Sequence, residues 1–401
     1  MSLERVLRKK RLTILGLNSG TSADGLDMAV VRVYSSGRRR VIKFIGGARK
    51  RYPPKLRSSI LDMCDSKTTP PEELVYLDNI VGRFYGKTAS AFIKEMGRGP
   101  GIDLVASHGQ TVRHLPDKIR RLGYKIGGSM QLGSPDFISA ATGLPVVSDF
   151  RQADIALGNE GAPITVSAMR DIFASAREPR LIVNIGGMSN YFYFPRPGSG
   201  IRVRASDCGP GNSLCDILSG LLNGERYDAG GRRARRGNVS ERLVRTMMAS
   251  PPFRATTVST GRESFGVAAA GKLKRLADRS GLSGDDLMAT AAELTVRSIV
   301  RSIRPLLNSD KRLSKLYLTG GGRYNIFFVD RLKQNFPRLD VLMIDVLGVD
   351  GDLVEAAAYA VMGEWCLRSR AMETQFAGRR RQSLLPVPGR ITQPPTGLPE
   401  A

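Results

Sequence analysis

The sequence predicts an α/β protein made of two related lobes. The chain has 401 residues, whereas a domain usually has about 100–200 residues, so we expect two folding units. Apolar, β-branched runs alternate along it with stretches whose apolar residues recur at helical spacing. Near the start of each half, a strand pattern, a loop rich in Gly, Ser or Asp, and a second strand pattern follow one another. This repetition predicts that the two lobes are alike.

The first half opens with two predicted strands. They are LTILGLN at 12–18 and LDMAVVRVY at 26–34, and SGTSADG at 19–25 joins them. A helix is predicted at 71–96, and short strands at 103–106 and 145–148. The basic run before residue 12 is predicted to be a short tail, because the apolar stretch that follows it is too short for a signal peptide.

The second half repeats the theme. Strands are predicted at 180–184 and 191–194 as a hairpin, then a loop at 206–212, helices at 213–222 and 285–308, a strand at 315–318 and a helix at 353–367. The tail from Arg379 onward is rich in Arg, Pro and Gly and is expected to extend over the surface. We assign residues 1–150 to the first lobe and 151–362 to the second, with 363–401 packing back on the first.

The composition is that of a soluble globular protein, with 41% hydrophobic and 24% charged residues. No run approaches the roughly 20 apolar residues that span a bilayer. The four cysteines form no CxxC pair and only two histidines accompany them, so zinc is not expected. Cys208 lies in a Gly-rich turn, where we interpret it as a small buried residue rather than a reactive thiol. We expect a cytoplasmic protein.

The charge is strongly positive. There are 61 Lys and Arg residues against 37 Asp and Glu, for a net charge of +24. Such a surplus attracts phosphate groups, including nucleic acid and acidic lipid heads. The excess is scattered in small clusters, and aromatic residues are only 6%, so no platform for stacking bases is indicated. We therefore interpret it as a solvated basic surface that would bind nucleic acid only through non-specific charge.

The first loop, 20–25, has the residues that a phosphate-binding loop needs. Glycines let backbone amides approach phosphate oxygens, hydroxyls donate further hydrogen bonds, and the carboxylate of Asp24 can hold Mg²⁺. The lysine of a Walker loop is absent. An ordinary hairpin turn is the alternative.

Two later loops have the same character. In DCGPGN at 207–212, Asp207 could be a general base beside a phosphate site, or could cap the helix that follows. At Gly320, Gly321 and Gly322, an adenine ring could lie on bare backbone, or the chain could simply turn from strand to helix. The stretch SHGQTVRH at 107–114 holds both histidines of the chain, and His114 is open to interpretation as a buried structural residue.

Together these loops resemble the anhydro-N-acetylmuramic acid kinases, members of the actin/hexokinase superfamily, over nearly the whole chain. The segments that carry the resemblance are GLNSGTSADGLD at 16–27, SHGQTVRH at 107–114, QLGSP at 131–135, DFRQADIALGNEGAP at 149–163, NIGGMSN at 184–190, DCGPGN at 207–212, YDAGGRRARRG at 227–237, STGRESF at 259–265, LTGGGRYN at 318–325 and VEAAAYAVM at 354–362. The chain departs from the usual family pattern at Asn159, Glu160, Ser206 and Val258.

The resemblance implies two ribonuclease-H-like α/β lobes around an ATP cleft, with ATP and Mg²⁺ as cofactors. It implies hydrolytic opening of 1,6-anhydro-N-acetylmuramic acid and phosphorylation at O6, in peptidoglycan recycling, with Asp207 as the general base. A kinase for another amino or anhydro sugar, and a non-catalytic basic binding protein that retains the fold, are the alternatives. The partner is a small sugar, and a homodimer is left open.

The implied site residues fall into three groups. Those for ATP are Gly20, Thr21, Ser22, Ala23, Asp24, Gly25, Leu26, Asp27, Asn184, Gly186, Gly187, Gly209, Gly211, Asn212, Gly320, Gly321 and Gly322, with Asp24 also the ligand of Mg²⁺. Those for the sugar are His108, Gln110, Thr111, Asp149, Arg151 and Glu355. The catalytic residue is Asp207.

Overall fold

A computed structural model describes residues 2–20, 22–37, 39–66, 68–97, 101–254, 265–372 and 385–395. It divides into two compact units. The first contains the described residues of Met1–Ile172, Leu353–Gln375 and Arg380–Ala401, and the second contains Phe173–Asp352. Each unit is built on one β-sheet.

The first unit holds a seven-stranded sheet. Its strands are β1 (Arg11–Ser19), β2 (Gly25–Ser36), β3 (Arg39–Arg51), β4 (Leu104–Arg121), β5 (Tyr124–Leu132), β6 (Val146–Ser148) and β12 (Arg390–Thr392). Their order is β12-β6-β4-β1-β2-β3, and β5 pairs with β4. The β1–β2 and β2–β3 pairs are antiparallel, whereas β1–β4 and β4–β6 are parallel.

The helices of the first unit are α1 (Leu3–Arg8), α2 (Pro54–Asp65), α3 (Pro71–Glu95), α4 (Pro135–Thr142), α5 (Gln152–Ala156), α6 (Val166–Phe173) and α13 (Val354–Leu367). The last of these lies directly on β1. A side chain at Gly16 of β1 would collide with the carbonyl of Ala356, so the small residues of α13 and the glycine of β1 permit this close packing. The sequence places α13 mostly in the second lobe, and the structure packs it on the first sheet.

The second unit has five strands in the order β11-β10-β7-β8-β9. They are β7 (Arg180–Ile185), β8 (Met188–Phe194), β9 (Arg204–Pro210), β10 (Lys315–Thr319) and β11 (Asp340–Met343). Its helices are α7 (Ser213–Asn223), α8 (Arg232–Arg236), α9 (Glu241–Met248), α10 (Val267–Arg279), α11 (Gly284–Ser309) and α12 (Ile326–Asn335). Short 3₁₀ turns occupy Ala229–Gly231, Gly321–Tyr324 and Ile344–Leu347.

The two sheets share one topology. In each, three antiparallel strands come first, and two strands parallel to the first one are added on its other side. This is the strand order of the ribonuclease-H-like fold, so the predicted fold class is confirmed. Along β1, every residue after Arg11 is buried, as a central strand covered on both faces requires.

Most predicted elements are present, and two interpretations were wrong. The basic N-terminal tail is helical in part, since Ser2 caps α1 and Val6 is buried. The loop predicted at 206–212 is strand as far as Pro210, because β9 pairs with β8 through Met188. The C-terminal tail contributes β12, paired with β6, whereas Arg379, Arg380 and Arg381 lie outside the described residues. Among the described helices, none is both long and apolar enough to cross a membrane.

Candidate active site

The first predicted loop joins β1 to β2. Ala23 closes a tight turn by donating its amide to the carbonyl of Gly20 at 3.1 Å, with a positive φ of 48°. A Cβ added at Gly20 would meet no heavy atom within 4 Å, so the backbone here is open to an approaching group. Ser22 lies in the same turn, and Thr21 lies outside the described residues.

Two carboxylates stand beside this turn in different states. The Asp24 side chain is 44% exposed, and a guanidinium nitrogen of Arg57 lies 3.4 Å from its carboxylate. Asp27 accepts a hydrogen bond from Nε of Arg49 at 2.8 Å. Asp24 therefore offers an accessible oxygen of the kind that Mg²⁺ prefers, although it is paired with Arg57, and the ion pair of Asp27 is shorter. The Leu26 side chain is in the core, and a side chain at Gly25 would collide with the carbonyl of Lys50.

Gln110 holds the first loop in place. Its side chain is fully buried and accepts a hydrogen bond from the Ser19 hydroxyl at 2.6 Å. Its amide nitrogen donates to the carbonyl of Gly20 at 3.3 Å. The hydroxyl of Thr111, the next residue of β4, accepts from Gln131 at 3.2 Å. The contacts of Gln110 are thus those of a residue that positions the glycine loop.

His108, Arg151 and Tyr359 form one cluster. Nε of Arg151 donates to Nε2 of His108 at 3.0 Å, and the His108 ring stacks on Tyr359 with centroids 4.4 Å apart. Burial, and then the Arg151 charge, lower the pKa of His108 well below its usual value. His108 is therefore a neutral acceptor that orients the guanidinium. Arg151 also donates to the carbonyl of Gly161 at 2.7 Å.

Two carboxylates of the first unit have raised pKa values. Glu355 accepts a hydrogen bond from Asn18 at 2.9 Å. Part of the Glu355 residue is exposed to solvent, but the protein around its carboxyl group displaces hydrating water and thereby raises its pKa. Asp149 follows β6 with a φ of +59°, an uncommon conformation for a residue with a side chain. Burial raises the pKa of Asp149, and Arg390, 3.2 Å away, opposes this.

His114 has the surroundings of a structural residue. Among the described residues neither of its ring nitrogens has a hydrogen-bond partner. Burial, with a smaller effect of Arg151, lowers the pKa of His114 to about 4. The ring is therefore neutral at physiological pH.

In the second unit, two predicted loops pack backbone against backbone. The carbonyl of Gly186 accepts the amide of Asn212 at 2.8 Å, and that of Gly187 accepts the amide of Gly211 at 2.9 Å. A side chain at Gly211 would collide with the carbonyl of Gly186. At Gly209 the backbone φ is +134°, which favours glycine. The turn after β7 and the turn before α7 are thus one unit.

The third glycine loop joins this unit. The side-chain oxygen of Asn184 lies where a side chain at Gly320 would be, and Gly320 has a φ of +77°. A side chain at Gly322 would strike Ile185, whereas one at Gly321 would meet only Nδ2 of Asn212, at 3.8 Å. Since β7 and β10 are parallel neighbours, all three loops gather at their carboxyl ends. This is the edge of an α/β sheet where ligands bind.

Asp207 lies within β9, opposite Asn190 of β8, and is half-buried. The N-cap residue of α7 is Asn212, so the interpretation of Asp207 as the cap of that helix was wrong. Oδ1 of Asn190 is buried and has no hydrogen-bond partner among the described residues. An acceptor without a donor therefore stands directly across the ladder from the predicted base.

Cys208, next along β9, is buried and free, and burial raises the pKa of its thiol to about 12. The thiol thus stays protonated, and the interpretation of Cys208 as a packing residue is confirmed.

Arg323 is a residue of this region that the sequence did not single out. It is only 1% exposed, and it donates to the carbonyl of Gly320 at 3.1 Å and to Asp352 at 2.5 Å. Its guanidinium lies 4.1 Å from the ring centre of Tyr324. The available signal was an arginine directly after three glycines, with three aspartates downstream at 345, 350 and 352. Arg323 ties the third glycine loop to the end of the second unit.

Comparison with known proteins agrees with these motifs. The family model described as anhydro-N-acetylmuramic acid kinase matches residues 12–385. The chain belongs to the anhydro-N-acetylmuramic acid kinase family. A protein of that name from Caldanaerobacter subterraneus subsp. tengcongensis is 32% identical over 364 residues, covering 90% of this chain and 92% of its own length. Another from Rippkaea orientalis is 36% identical over 359 residues, covering 88% and 92%.

Solved structures of other proteins are also similar. The activator of a 2-hydroxyisocaproyl-CoA dehydratase from Clostridium difficile, with bound ADPNP, has a TM-score of 0.38 at 12% identity, covering 89% of this chain and 96% of its own. A ROK family glucokinase from Streptomyces griseus, in complex with glucose and AMPPNP, has a TM-score of 0.35 at 12% identity, covering 88% and 99%. These values are low.

Proposed function

We propose that this member of the anhydro-N-acetylmuramic acid kinase family opens the 1,6-anhydro bond of anhydro-N-acetylmuramic acid with water and transfers the γ-phosphoryl group of ATP to O6. The product is N-acetylmuramic acid 6-phosphate, formed in peptidoglycan recycling. The observation that carries the proposal is Asp207, a carboxylate of the family motif DCGPGN that lies in a strand and does not cap the helix after it. This position, in the strand that leads into the glycine turn before α7, suits a chemical role.

The residues of the glycine loops fit a nucleotide. In the first unit, the open backbone at Gly20 and the accessible carboxylate of Asp24 suit phosphate oxygens and Mg²⁺. In the second, Gly186, Gly321 and Asn212 line the end of β7 and β10, and Gly321 has almost nothing against its open face. Bound Mg²⁺ would neutralise charge on the transferring phosphoryl group. The loops themselves position the nucleotide and need no acid or base of their own.

Asp207 would act on the attacking water. It takes a proton from water as the water oxygen bonds to C1 and the bond from C1 to the bridging O6 breaks. The electron pair of that bond stays on O6, which attacks the γ-phosphorus, and ADP leaves. The unpartnered acceptor of Asn190, opposite Asp207, would take a hydrogen bond from the same water or from a sugar hydroxyl. Asp207 and Asn190 thus suit an incoming hydroxyl-bearing group.

The sugar would be held by charged and polar groups of the first unit. Arg151 is oriented by His108 and by the carbonyl of Gly161, so its direction is fixed before a ligand arrives. Desolvation disfavours the charged carboxylates of Glu355 and Asp149, as their raised pKa values indicate. Hydrogen bonds donated by sugar hydroxyls would stabilise each of these carboxylates. Gln110 would act by holding Gly20.

The test is the position of the new oxygen atom. Turnover of anhydro-N-acetylmuramic acid with ATP in ¹⁸O-water should place the label at the C1 hydroxyl of the product, as shown by mass spectrometry of its fragments. Unlabelled phosphate on O6 is expected. Label in phosphate would mean that the enzyme merely hydrolyses ATP, and absence of any product would favour a non-catalytic basic binding protein.

A kinase for another sugar is the second candidate, and one observation favours it. Asn159 and Glu160, which depart from the usual family pattern, lie in the loop whose Gly161 carbonyl orients Arg151. Asn159 donates to Asp154 at 2.6 Å, and the amide of Gly161 donates to the same carboxylate at 2.8 Å. A panel of anhydro and open-ring amino sugars, compared by kcat/KM, separates the two substrates.

The cellular setting is part of the proposal. All four cysteines are free thiols, as is usual for proteins of the reducing cytoplasm, and we place the enzyme there. Whether it is a monomer or a homodimer is measured directly by light scattering during size-exclusion chromatography.

A further inference from the structure

The β4–β5 hairpin extends beyond the first sheet. Strand β4 pairs with β1 and β6 only through residues 104–110, and from Gln110 onward its partner among the described strands is β5. The pairing runs from Gln110 opposite Leu132 to Arg121 opposite Tyr124. We call residues 112–130 the outer hairpin. A two-stranded ribbon gains little stability from its own strand pairing, so binding would explain a ribbon of this length.

Large apolar side chains of the outer hairpin face solvent. The exposed fraction is 57% for Ile119, 53% for Ile126, 73% for Tyr124, 91% for Leu122 and 55% for Leu115. Ile119 is directly opposite Ile126, so both project from one face, and Tyr124, two residues before Ile126, projects from the same face. A soluble protein rarely leaves such a contiguous apolar group exposed unless it binds something.

Basic residues accompany the apolar ones. Arg120 is directly opposite Lys125, on the face away from Ile119 and Ile126, and Arg121 is opposite Tyr124. Residues 113–126 contain five basic residues and one acidic residue, in a chain whose net charge is +24. Within the described part of the chain, Arg120, Arg121 and Lys125 have no charged partner near enough for an ion pair. Their charge is thus available to an anionic surface.

The outer hairpin is also fixed to the first unit. The side-chain amine of Lys118 donates a hydrogen bond to the carbonyl of Gly158. The side-chain amide of Gln152 donates one to the carbonyl of Ser129 at 3.0 Å. These bonds hold the ribbon against α5 and the loop after it. The apolar face is therefore presented in a defined direction.

We propose that the outer hairpin docks the enzyme on an anionic lipid surface. The turn end of the hairpin would meet the surface, so that Ile119, Leu122, Tyr124 and Ile126 enter the interfacial region. Arg120 and Lys125 on one face and Arg121 on the other would contact lipid phosphates around it. A second copy of the chain fits less well, because two like-charged hairpins repel each other. Nucleic acid fits less well too, since the exposed side chains are mainly aliphatic and Tyr124 is the one aromatic residue among them.

Vesicle co-sedimentation of the full chain tests the proposal. Vesicles of phosphatidylglycerol and phosphatidylcholine should bind the protein at about 0.1 M salt, and binding should weaken at about 1 M salt, where the Debye length falls from about 10 Å to about 3 Å. Vesicles of phosphatidylcholine alone should bind it at least ten-fold less. The double variant Arg120→Gln/Lys125→Gln should reduce partitioning by about 25-fold, or about five-fold for each charge. Ile119→Ser/Ile126→Ser should reduce it about ten-fold or more.

The matched control removes two charges elsewhere. Arg232→Gln/Arg235→Gln, at exposed positions of α8 in the second unit, should retain vesicle binding. The hairpin variants should have the circular dichroism spectrum and the sugar turnover rate of the wild type, which would show that they are folded. Equal loss in the control variant, or no binding to anionic vesicles, overturns the proposal. So does self-association that Ile119→Ser/Ile126→Ser abolishes, or binding to RNA that depends on the same side chains while vesicles are ignored.

Discussion

Asp207 is carried by β9, five residues before Asn212, the N-cap residue of α7, and this separation makes an amide substitution informative. Asp207→Asn keeps the size of the side chain and removes the base. We expect kcat to fall by about 10²–10⁴-fold, the usual contribution of a general base. Isothermal titration should show that ATP still binds, since the nucleotide loops are untouched.

The control for Asp207→Asn is Asp340→Asn, the same exchange at an exposed carboxylate of β11 in the same unit. It should leave kcat unchanged. A near-normal kcat in Asp207→Asn would remove the general base from the mechanism.

Asp24 makes a separate prediction about the metal. Asp24→Asn replaces an accessible carboxylate with a neutral amide, which holds Mg²⁺ weakly. We expect the Mg²⁺ concentration at half-maximal activity to rise about ten-fold or more, with little change in melting temperature, because the ion pair to Arg57 at 3.4 Å is exposed. Asp62→Asn, on the exposed side of α2, is the control. If both variants titrate with Mg²⁺ like the wild type, Asp24 does not bind the metal.

At the scale of single residues, the sequence indicated which side chains matter better than what each one does. Asp24 and Arg151 are polar and partly accessible, as expected of ligands. Gln110 is predicted to contact the sugar, whereas in the structure its side-chain amide forms hydrogen bonds with the Ser19 hydroxyl and the Gly20 carbonyl. These contacts depend on β1 and β4 being neighbours. The role of Arg323 was not predicted, because its partners lie up to 29 positions away in the chain.

The glycine turns at the end of the second sheet should respond to alanine in two different ways. Gly211→Ala drives a methyl group into the carbonyl of Gly186, and backbone cannot move aside cheaply. We expect a loss of stability of about 3 kcal/mol or more, in the range of other backbone conflicts at such turns. Gly321→Ala meets only Nδ2 of Asn212, at 3.8 Å, so its melting temperature should match the wild type.

Gly321→Ala should nevertheless raise the KM for ATP about ten-fold, since its methyl group would occupy the open face on which the nucleotide is proposed to lie. Thermal unfolding and steady-state kinetics of the two variants together check this pair. An unchanged KM in Gly321→Ala would move the adenosine away from this loop.

The elements that the sequence predicted well are those whose pattern is local. The helix at 71–96 and the hairpin at 180–194 follow from apolar periodicity, and both are present. The sequence predicts a loop where β9 lies, because residues Ser206–Pro210 are small, polar or cyclic. They form a strand because β8 offers a partner. The place of α13 on β1 could not be predicted, because it depends on contacts across more than 300 residues.

The whole molecule should lose stability in mild acid through its two histidines. Burial keeps His108 and His114 neutral when folded, whereas in the unfolded chain they bind protons below a pKa of about 6.5. Stability is thus fully present above about pH 6.5 and falls with pH, by up to about 1.4 kcal/mol per pH unit for each histidine. For His114 the loss ends near its folded pKa of about 4. Denaturant unfolding at several pH values between 7.5 and 4.5 measures this slope.

A single variant isolates one half of this effect. Since neither ring nitrogen of His114 has a partner among the described residues, His114→Phe should fold well and unfold with a smaller dependence on pH below 6.5. If the free energy of unfolding depends on pH equally in His114→Phe and in the wild type, the acid sensitivity comes from carboxylates and not from His114.

The strand order of the first sheet has a consequence for the addition of foreign strands at its edges. An outermost strand is a template on which a foreign strand can add, and this is how many β-proteins aggregate. On one side the outermost strand is β3, which carries six basic residues at 39, 40, 43, 49, 50 and 51. On the other side it is β12, only three residues long and flanked by Pro386, Pro388, Pro394 and Pro395, which have no amide hydrogen to donate. Like charges along β3 oppose the addition of another strand there, and a chain shortened before β12 would leave β6 as the new edge strand.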